Sequence, residues 1–260
     1  TGTPKEDFLK VAKAFCSTGR PDKAGTVLYA MGITQSTHGS QNVRAVALLQ
    51  LLLGNVGIAG GGVNALRGES NVQGSTDFGL LYNQVPGYMN SPEMEDQDLA
   101  AVLAKKLPRT NEPKSANWVK NGDKYAISLL KAWYGTNADE RNAYGFNYLP
   151  KRSGNYSYIP ILKKASDGEI EGMVCTGMNP AVGGPDSGNA RAGLGKLKWL
   201  VAVDLWETET STFWKRPGVN PASFGTEVFL LPAAGSVEKE GSIINSGRWA
   251  QWRYKAVEPP

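Results

Sequence analysis

Histidine occurs once and cysteine twice in 260 residues. The two cysteines, Cys16 and Cys175, stand far apart and no Cys-x-x-Cys pair exists. They are too few and too distant to read as a metal motif, so no metal-ligating residue is assigned within this chain. A free, mostly buried thiol is favoured over a disulfide for each. Long apolar runs are missing too: residues 43–53 are interrupted by Arg44 and Gln50 and fall short of a bilayer's thickness, so no direct membrane span is expected. The amino terminus has no signal-peptide pattern, which leaves a cytosolic protein or a missing leader. There is no Lys/Arg block. The 28 cations and 24 anions are interspersed, and their net charge of +4 does not imply a nucleic-acid partner. Internal repeats, low-complexity tracts and a complete Gly-x-Gly-x-x-Gly are absent as well. What remains, 41% hydrophobic and 9% aromatic residues, fills one large or two moderate globular domains.

Against these absences, residues 54–74, GNVGIAGGGVNALRGESNVQG, concentrate glycines and carboxamides around one arginine. Glycine lets a ligand approach the main chain, and carboxamides offer donors and acceptors to a heterocycle. Arg67 adds a permanently charged fork suited to a carboxylate or phosphate. Such a loop wraps a large polar cofactor and points one cation at an anionic group. A surface linker is the bland alternative, but linkers rarely interleave Val56, Ile58, Val63, Leu66 and Val72.

The surrounding pattern is α/β. Thr3-Pro-Lys-Glu6 is a capping-box signature opening a helix over 4–16, and residues 26–31 suit a buried strand. Residues 41–53 read as a helix buried on all faces and ended by Gly54. Prolines and weak periodicity between 86 and 160 indicate a helical and irregular connector, with a helix over 117–134 and a domain crossover near 100–115. Beyond 169 the rhythm returns: strands at 171–176, 199–204 and 227–231, and a helix at 187–197. The first of these strands runs into Gly177-Met-Asn179-Pro180 and the second ends in Asp204, so an amide and a carboxylate meet at one sheet edge, where dinucleotides bind. Ordinary strand-end turns are the competing reading. The expected organisation is an α/β unit over 1–105, a connector over 106–165, and a second, dinucleotide-binding unit over 166–260. Trp199, Trp206, Trp214, Trp249 and Trp252 read as core or interface residues.

The glycine-rich stretch, with YAMGITQSTHGSQNVRA before it, resembles the catalytic subunit of formate dehydrogenases in the molybdopterin oxidoreductase superfamily. The blocks VCTGMNPAVGGPDSGNARAGLGKLKWLVAVDLWETETSTFW and FLLPAAGSVEKEGSIINSGRWAQW continue the resemblance in order. It covers nearly the whole chain, yet the relatives' cysteine cluster and their metal-bound selenocysteine or cysteine are missing, so the chain looks like a piece of a longer subunit. The implied fold is a set of Rossmann-like parallel-sheet units, incomplete as a stand-alone enzyme.

The implied activity is oxidation of formate to CO2, reversible in principle, at a bis(molybdopterin guanine dinucleotide) centre holding tungsten or molybdenum. Electrons would leave through a 4Fe-4S cluster held by absent parts of the subunit, toward an iron–sulfur β subunit. The family resemblance implies a periplasmic location. Arg67 matches the arginine that faces substrate. Gly32, Gln35, Ser36 and Thr37, then Gly68, Asn71, Gln73, Gly74, Ser75 and Thr76, match pterin and pyrophosphate contacts, with Gly68 allowing the chain to turn directly after Arg67. For cofactor binding, Gly177, Asn179 and Pro180 match the loop that touches the guanine dinucleotide tail, Asp204 matches the acidic residue near guanine or ribose, and Pro232, Ala233 and Ala234 match the following strand-end turn. Ser36 stands where many relatives carry histidine, which weakens a catalytic role for His38, and Glu69 stands where they often have His or Gln. A different reductase of the superfamily is the enzymatic rival. A non-catalytic nucleotide-binding α/β module is the rival from another class.

Overall fold

The computed structural model describes residues 2–105, 107, 112–114 and 118–259. Helix α1 spans Lys5–Cys16 with Pro4 at its N-cap and no side-chain cap. The expected capping box does not form, because Thr3 lies one residue outside the cap. Proline's preset φ starts the helix, and Glu6 and Asp7 meet its positive end. Strand β1 covers only Thr26–Tyr29, since the chain then coils into the short helix α2, Met31–Thr34. Helix α3, Gly39–Leu53, closes on Gly54 at φ 76°, a left-handed conformation that glycine adopts without strain.

The side of α3 bearing Gln50 is buried, but the expectation of burial on all faces fails. Leu48, Leu49, Leu51 and Leu52 are exposed, Leu52 to 85%. A two-stranded sheet is too narrow to surround a helix, and strand β2, Gly62–Ala65, pairs only with β1, in parallel from Thr26 opposite Gly62 to Tyr29 opposite Ala65.

Two buried carboxamides join these elements. Gln50 Nε2 donates to the Gly25 and Gly62 carbonyls at 2.9 and 2.6 Å. Asn55 Oδ1 accepts the Gly25 N–H at 2.8 Å, while its Nδ2 donates to Gln50 Oε1 and Thr18 Oγ1, both at 2.9 Å. Both residues have no exposure, so their polar groups are stable there only because each is matched. The end of α3 is thereby tied to the first residues of both strands.

After helix α4, Val72–Asp77, come the short antiparallel strands β3, Gln84–Val85, and β4, Met89–Asn90. Helices α5, Leu99–Lys105, and α6, Gly122–Tyr134, follow, and their Leu99, Val102 and Leu130 pack with Phe146 of the 3-10 segment Glu140–Tyr148. The helix expected over 117–134 is a 3-10 turn at Trp118–Asn121 leading into α6; Asn117 lies outside the described residues. The crossover expected near 100–115 falls in part on residues 106, 108–111 and 115, which also lie outside them.

The carboxyl-terminal half carries α7, Tyr158–Asp167, β5, Gly172–Thr176, α8, Ser187–Leu194, β6, Trp199–Asp204, and β7, Glu227–Pro232. The strands form one parallel sheet in the order β5-β6-β7. The β6–β7 connection contains only 3-10 turns, at Phe213–Lys215 and Pro221–Ser223. Leu194 and Leu200 are wholly buried in the core with Leu197, Cys175 and Phe213, and each buried leucine contributes about 1.5–3 kcal/mol. Trp214 packs against that core, whereas Trp206, Trp249 and Trp252 are exposed and Trp199 partly so. Those exposed tryptophans are therefore not core residues. Finally β8, Gly241–Ile244, and β9, Ala250–Arg253, form a two-stranded ribbon.

By contacts the chain divides into two compact units, Thr1–Gly74 with Ile243–Gln251, and Ser75–Ser242 with Trp252–Pro260. The contact boundary falls between Gly74 and Ser75, and residues 243–251 return to the amino-terminal unit.

Both thiols are free, but Cys16 is exposed, at the end of a helix with no buried residue. Cys175 is buried, and desolvation pushes its thiol up to about 11. A thiol whose pKa is raised by folding stabilises the native state below its ordinary pKa of 9.0, and that contribution fades as pH rises through about 11. Iodoacetamide followed by peptide mass spectrometry should leave Cys175 unlabelled at pH 8 unless denaturant is added; rapid native labelling would contradict its burial.

Candidate functional site

Strand β2 ends at Ala65, and the Leu66 N–H still reaches the Tyr29 carbonyl at 2.8 Å before the chain leaves the sheet at Arg67. Arg67 is exposed, and its Nη2 donates to Gln73 Oε1 at 2.9 Å. Gln73 is buried in the first turn of α4, so the guanidinium is held along one edge by a fixed acceptor. The turn does not use Gly68, whose φ is ordinary; the left-handed residue is Asn71, at φ 66°. Asn71 Oδ1 accepts the Ile244 N–H at 2.9 Å. Residues 67–73 and 243–246 together line a cavity of about 280 Å³. Gly74 is buried, and Ser75 and Thr76 are half-buried on α4.

Because β1 and β2 are parallel, the segment leaving β1 emerges at the same edge as Arg67. Gly32, Gln35, Ser36 and Thr37 are all exposed there. Gln35 Nε2 lies 3.3 Å from Met31 Sδ, and Ser36 Oγ accepts from Asn42 Nδ2 at 3.5 Å. His38 occupies the N-cap position of α3, exposed, without a side-chain cap bond. The cavity joins one planar cation to Glu69 and to main-chain and carboxamide groups, a surface able to grip a small carboxylate at two points.

A second cluster lies at the carboxyl edge of β5, β6 and β7. Gly177 has φ 61° and donates its N–H to the Val203 carbonyl at 2.9 Å, seating the Gly177–Pro180 loop beside β6. Asp204 closes β6 opposite Pro232, and its carbonyl accepts the Ala233 N–H at 3.0 Å, with half-buried Ala234 next. Asp204 Oδ1 accepts the Leu205 N–H at 2.8 Å and Oδ2 the Thr208 hydroxyl at 3.4 Å. The strand-tip residues named from the sequence thus share one edge.

Asn179, however, is half-buried with its carboxamide already engaged. Its Oδ1 accepts from Thr210 Oγ1 at 2.8 Å and its Nδ2 donates to Glu209 Oε2 at 2.6 Å. That second bond is the main reason the Glu209 carboxyl sits below its ordinary range. Sequence reading missed Glu209 and its neighbours Arg191, Lys215 and Arg216, which line a cavity of about 420 Å³. The sequence signal of Glu209, Lys215 and Arg216 is the charged run after Asp204, too common on surfaces to single out, and Arg191 stands apart from it in α8.

Among the described residues no three His, Cys, Asp or Glu are grouped to hold a metal. Among them, too, no helix is long and apolar enough to cross a membrane.

Residues 2–213 match the family model described as Molybdopterin oxidoreductase. The chain belongs to the molybdopterin oxidoreductase family. It is 52% identical over its full length to formate dehydrogenase 2 subunit alpha (cytochrome c-553) of Nitratidesulfovibrio vulgaris, strain Hildenborough, of which it covers 26%. It is 50% identical over 99% of its length to formate dehydrogenase subunit alpha of Megalodesulfovibrio gigas, covering 25% of that protein. Against the nitrate-inducible formate dehydrogenase major subunit of Escherichia coli K12, identity is 46% over the full chain and 26% of the relative. The chain therefore spans about a quarter of the length of these relatives. Membership in the molybdopterin oxidoreductase family implies a molybdopterin cofactor carrying molybdenum or tungsten. Both the arginine loop and the Asn179–Asp204 edge fall within the matched residues.

Proposed function

We propose that this chain is part of the catalytic subunit of a formate dehydrogenase, which oxidises formate to CO2 and can run in reverse. The observation that carries the reading is Arg67, an exposed guanidinium held by buried Gln73 at a cavity, in a chain about half identical to proteins named formate dehydrogenase subunit alpha. With one edge bound to Gln73, the remaining N–H groups are available to grip formate through both oxygens. Glu69 lines the same cavity and would repel formate unless protonated or paired to Arg67.

The cofactor reading is a bis(molybdopterin guanine dinucleotide). The donor set at the second edge suits its nucleotide end: the Asp204 carboxylate accepts from the guanine N1–H and amine, and Arg191, Lys215 and Arg216 offset pyrophosphate charge. Asn179 would act there through Glu209 and the Gly177–Pro180 backbone, its own amide being engaged. When bound, the cofactor's molybdenum or tungsten supplies the two-electron acceptor. The partners of this reading are the rest of the subunit, which holds the metal ligand and a 4Fe-4S cluster, and an iron–sulfur β subunit in the periplasm. The uncovered leucine side of α3 is consistent with packing against that remainder.

The test uses the full-length subunit. Formate should reduce benzyl viologen, and tungsten or molybdenum and guanine dinucleotide should co-purify; loaded protein that ignores formate points to another reductase, and metal-free, pterin-free protein to a nucleotide-binding module. Asp204→Ala should lower guanine dinucleotide and metal content with activity per metal little changed, each charge-assisted bond lost costing about 1.5–3 kcal/mol of cofactor affinity. Normal content with collapsed activity per metal would instead put Asp204 near the reacting atoms.

A further inference from the structure

Asn71 is fixed in the arginine loop from both its backbone and its side chain. Its φ of 66° lies in the left-handed region, which asparagine enters at little cost. Its Oδ1 accepts the Ile244 N–H at 2.9 Å, across 173 residues of sequence. A Cβ built on Gly74 would lie 1.9 Å from that same Oδ1. Position 74 therefore has to be glycine for the carboxamide to lie where it does. The side chain is thus enclosed between the start of α4 and the ribbon, and residues 243–246, which it secures, are walls of the cavity that Arg67 lines.

We infer that Asn71 is a positioning residue of the arginine site, and that it acts by latching ribbon residues 243–251 to the loop so that Ile243–Ser246 close the cavity around Arg67. Arg67 stands four residues before Asn71, and Gln73, its acceptor, two residues after. The latch therefore sets the path of the segment that aims the guanidinium. The ribbon becomes part of the substrate site without supplying a charged group to it. The kinetic part of this inference rests on the formate reading; the latch itself does not.

The experiment uses the full-length subunit and two readouts. Asn71→Gly keeps the left-handed backbone and loses the acceptor. It should speed amide hydrogen exchange in residues 243–251 and raise the formate KM about tenfold, the loss of one hydrogen bond's worth of order, with kcat within about twofold. On this inference the Asn71 oxygen serves Ile244 in place of the pterin contact that the resemblance implied, so metal and guanine dinucleotide content should be unchanged. Gly74→Ala, whose new methyl displaces the carboxamide, should reproduce both effects in the wild type and add nothing in the Asn71→Gly background. Asn71→Asp, which retains the acceptor and the backbone preference, should restore the exchange protection. Unchanged ribbon exchange in Asn71→Gly overturns the latch. So does a loss of cofactor content with formate KM unaltered, which would make Asn71 a cofactor ligand instead. If the wild-type subunit does not oxidise formate, the formate reading fails, and the exchange measurements decide the latch on their own.

Discussion

Arg67→Lys in the full-length subunit is expected to reduce kcat/KM for formate by the equivalent of about 2–4 kcal/mol, the scale for removing one preorganised charge-stabilising donor. Lysine preserves the charge and loses the planar fork, so the two-point grip on a carboxylate goes while general electrostatic attraction stays. The bond to Gln73 sharpens the expectation. In the native arrangement Gln73 fixes one edge of the guanidinium, and an ammonium held by the same acceptor has fewer directed donors left to offer. Metal content should be unaffected, which separates a substrate defect from an assembly defect. Formate kinetics and metal analysis on one preparation decide it: near-normal kcat/KM with full occupancy would remove Arg67 from the substrate site.

Gln50→Leu is expected to loosen the amino-terminal unit by about 2 kcal/mol or more, because leucine fills similar space but leaves the Gly25 carbonyl and one Asn55 N–H without partners, at about 1–3 kcal/mol each, and the Gly62 carbonyl with the Thr26 hydroxyl in place of the carboxamide. These groups sit at the start of both parallel strands, whose far ends deliver the 31–37 segment and Arg67. Native-state hydrogen exchange on the full-length subunit should show the loss concentrated at residues 25–29 and 62–66. Protection equal to wild type there would mean that water or another group replaces the carboxamide.

Much of the local architecture was legible from pattern alone. The apolar spacing of residues 5–16, the run ended by Gly54 and the three apolar stretches beyond 169 correspond to α1, α3 and the strands β5, β6 and β7. Boundaries slipped where a local signal had a rival: Thr3 was displaced as a cap by Pro4, and the strand after Gly25 stops at Tyr29 where α2 coils. Burial was the weaker inference. A helix apolar all round implies cover on all sides, yet a two-stranded sheet covers one, and α3 keeps four leucines exposed in a chain spanning a quarter of its relatives.

For the candidate site, the sequence by itself determined the chemistry on offer: Arg67 in a loop of glycines and carboxamides, Asp204 at a strand end, and the ordered motifs of the molybdopterin oxidoreductase family. Only the tertiary structure decided how those groups are used. Gln73 is buried and accepts from Arg67, Asn71 reaches Ile244, Asn179 bonds to Glu209 and Thr210, and Gln50 with Asn55 holds two strands together. The physical reason is that periodicity and residue type report what a side chain can bond, whereas its partner is whichever matching group the fold brings within about 3 Å. For Asn71 that group is an amide 173 residues away, which no local pattern encodes.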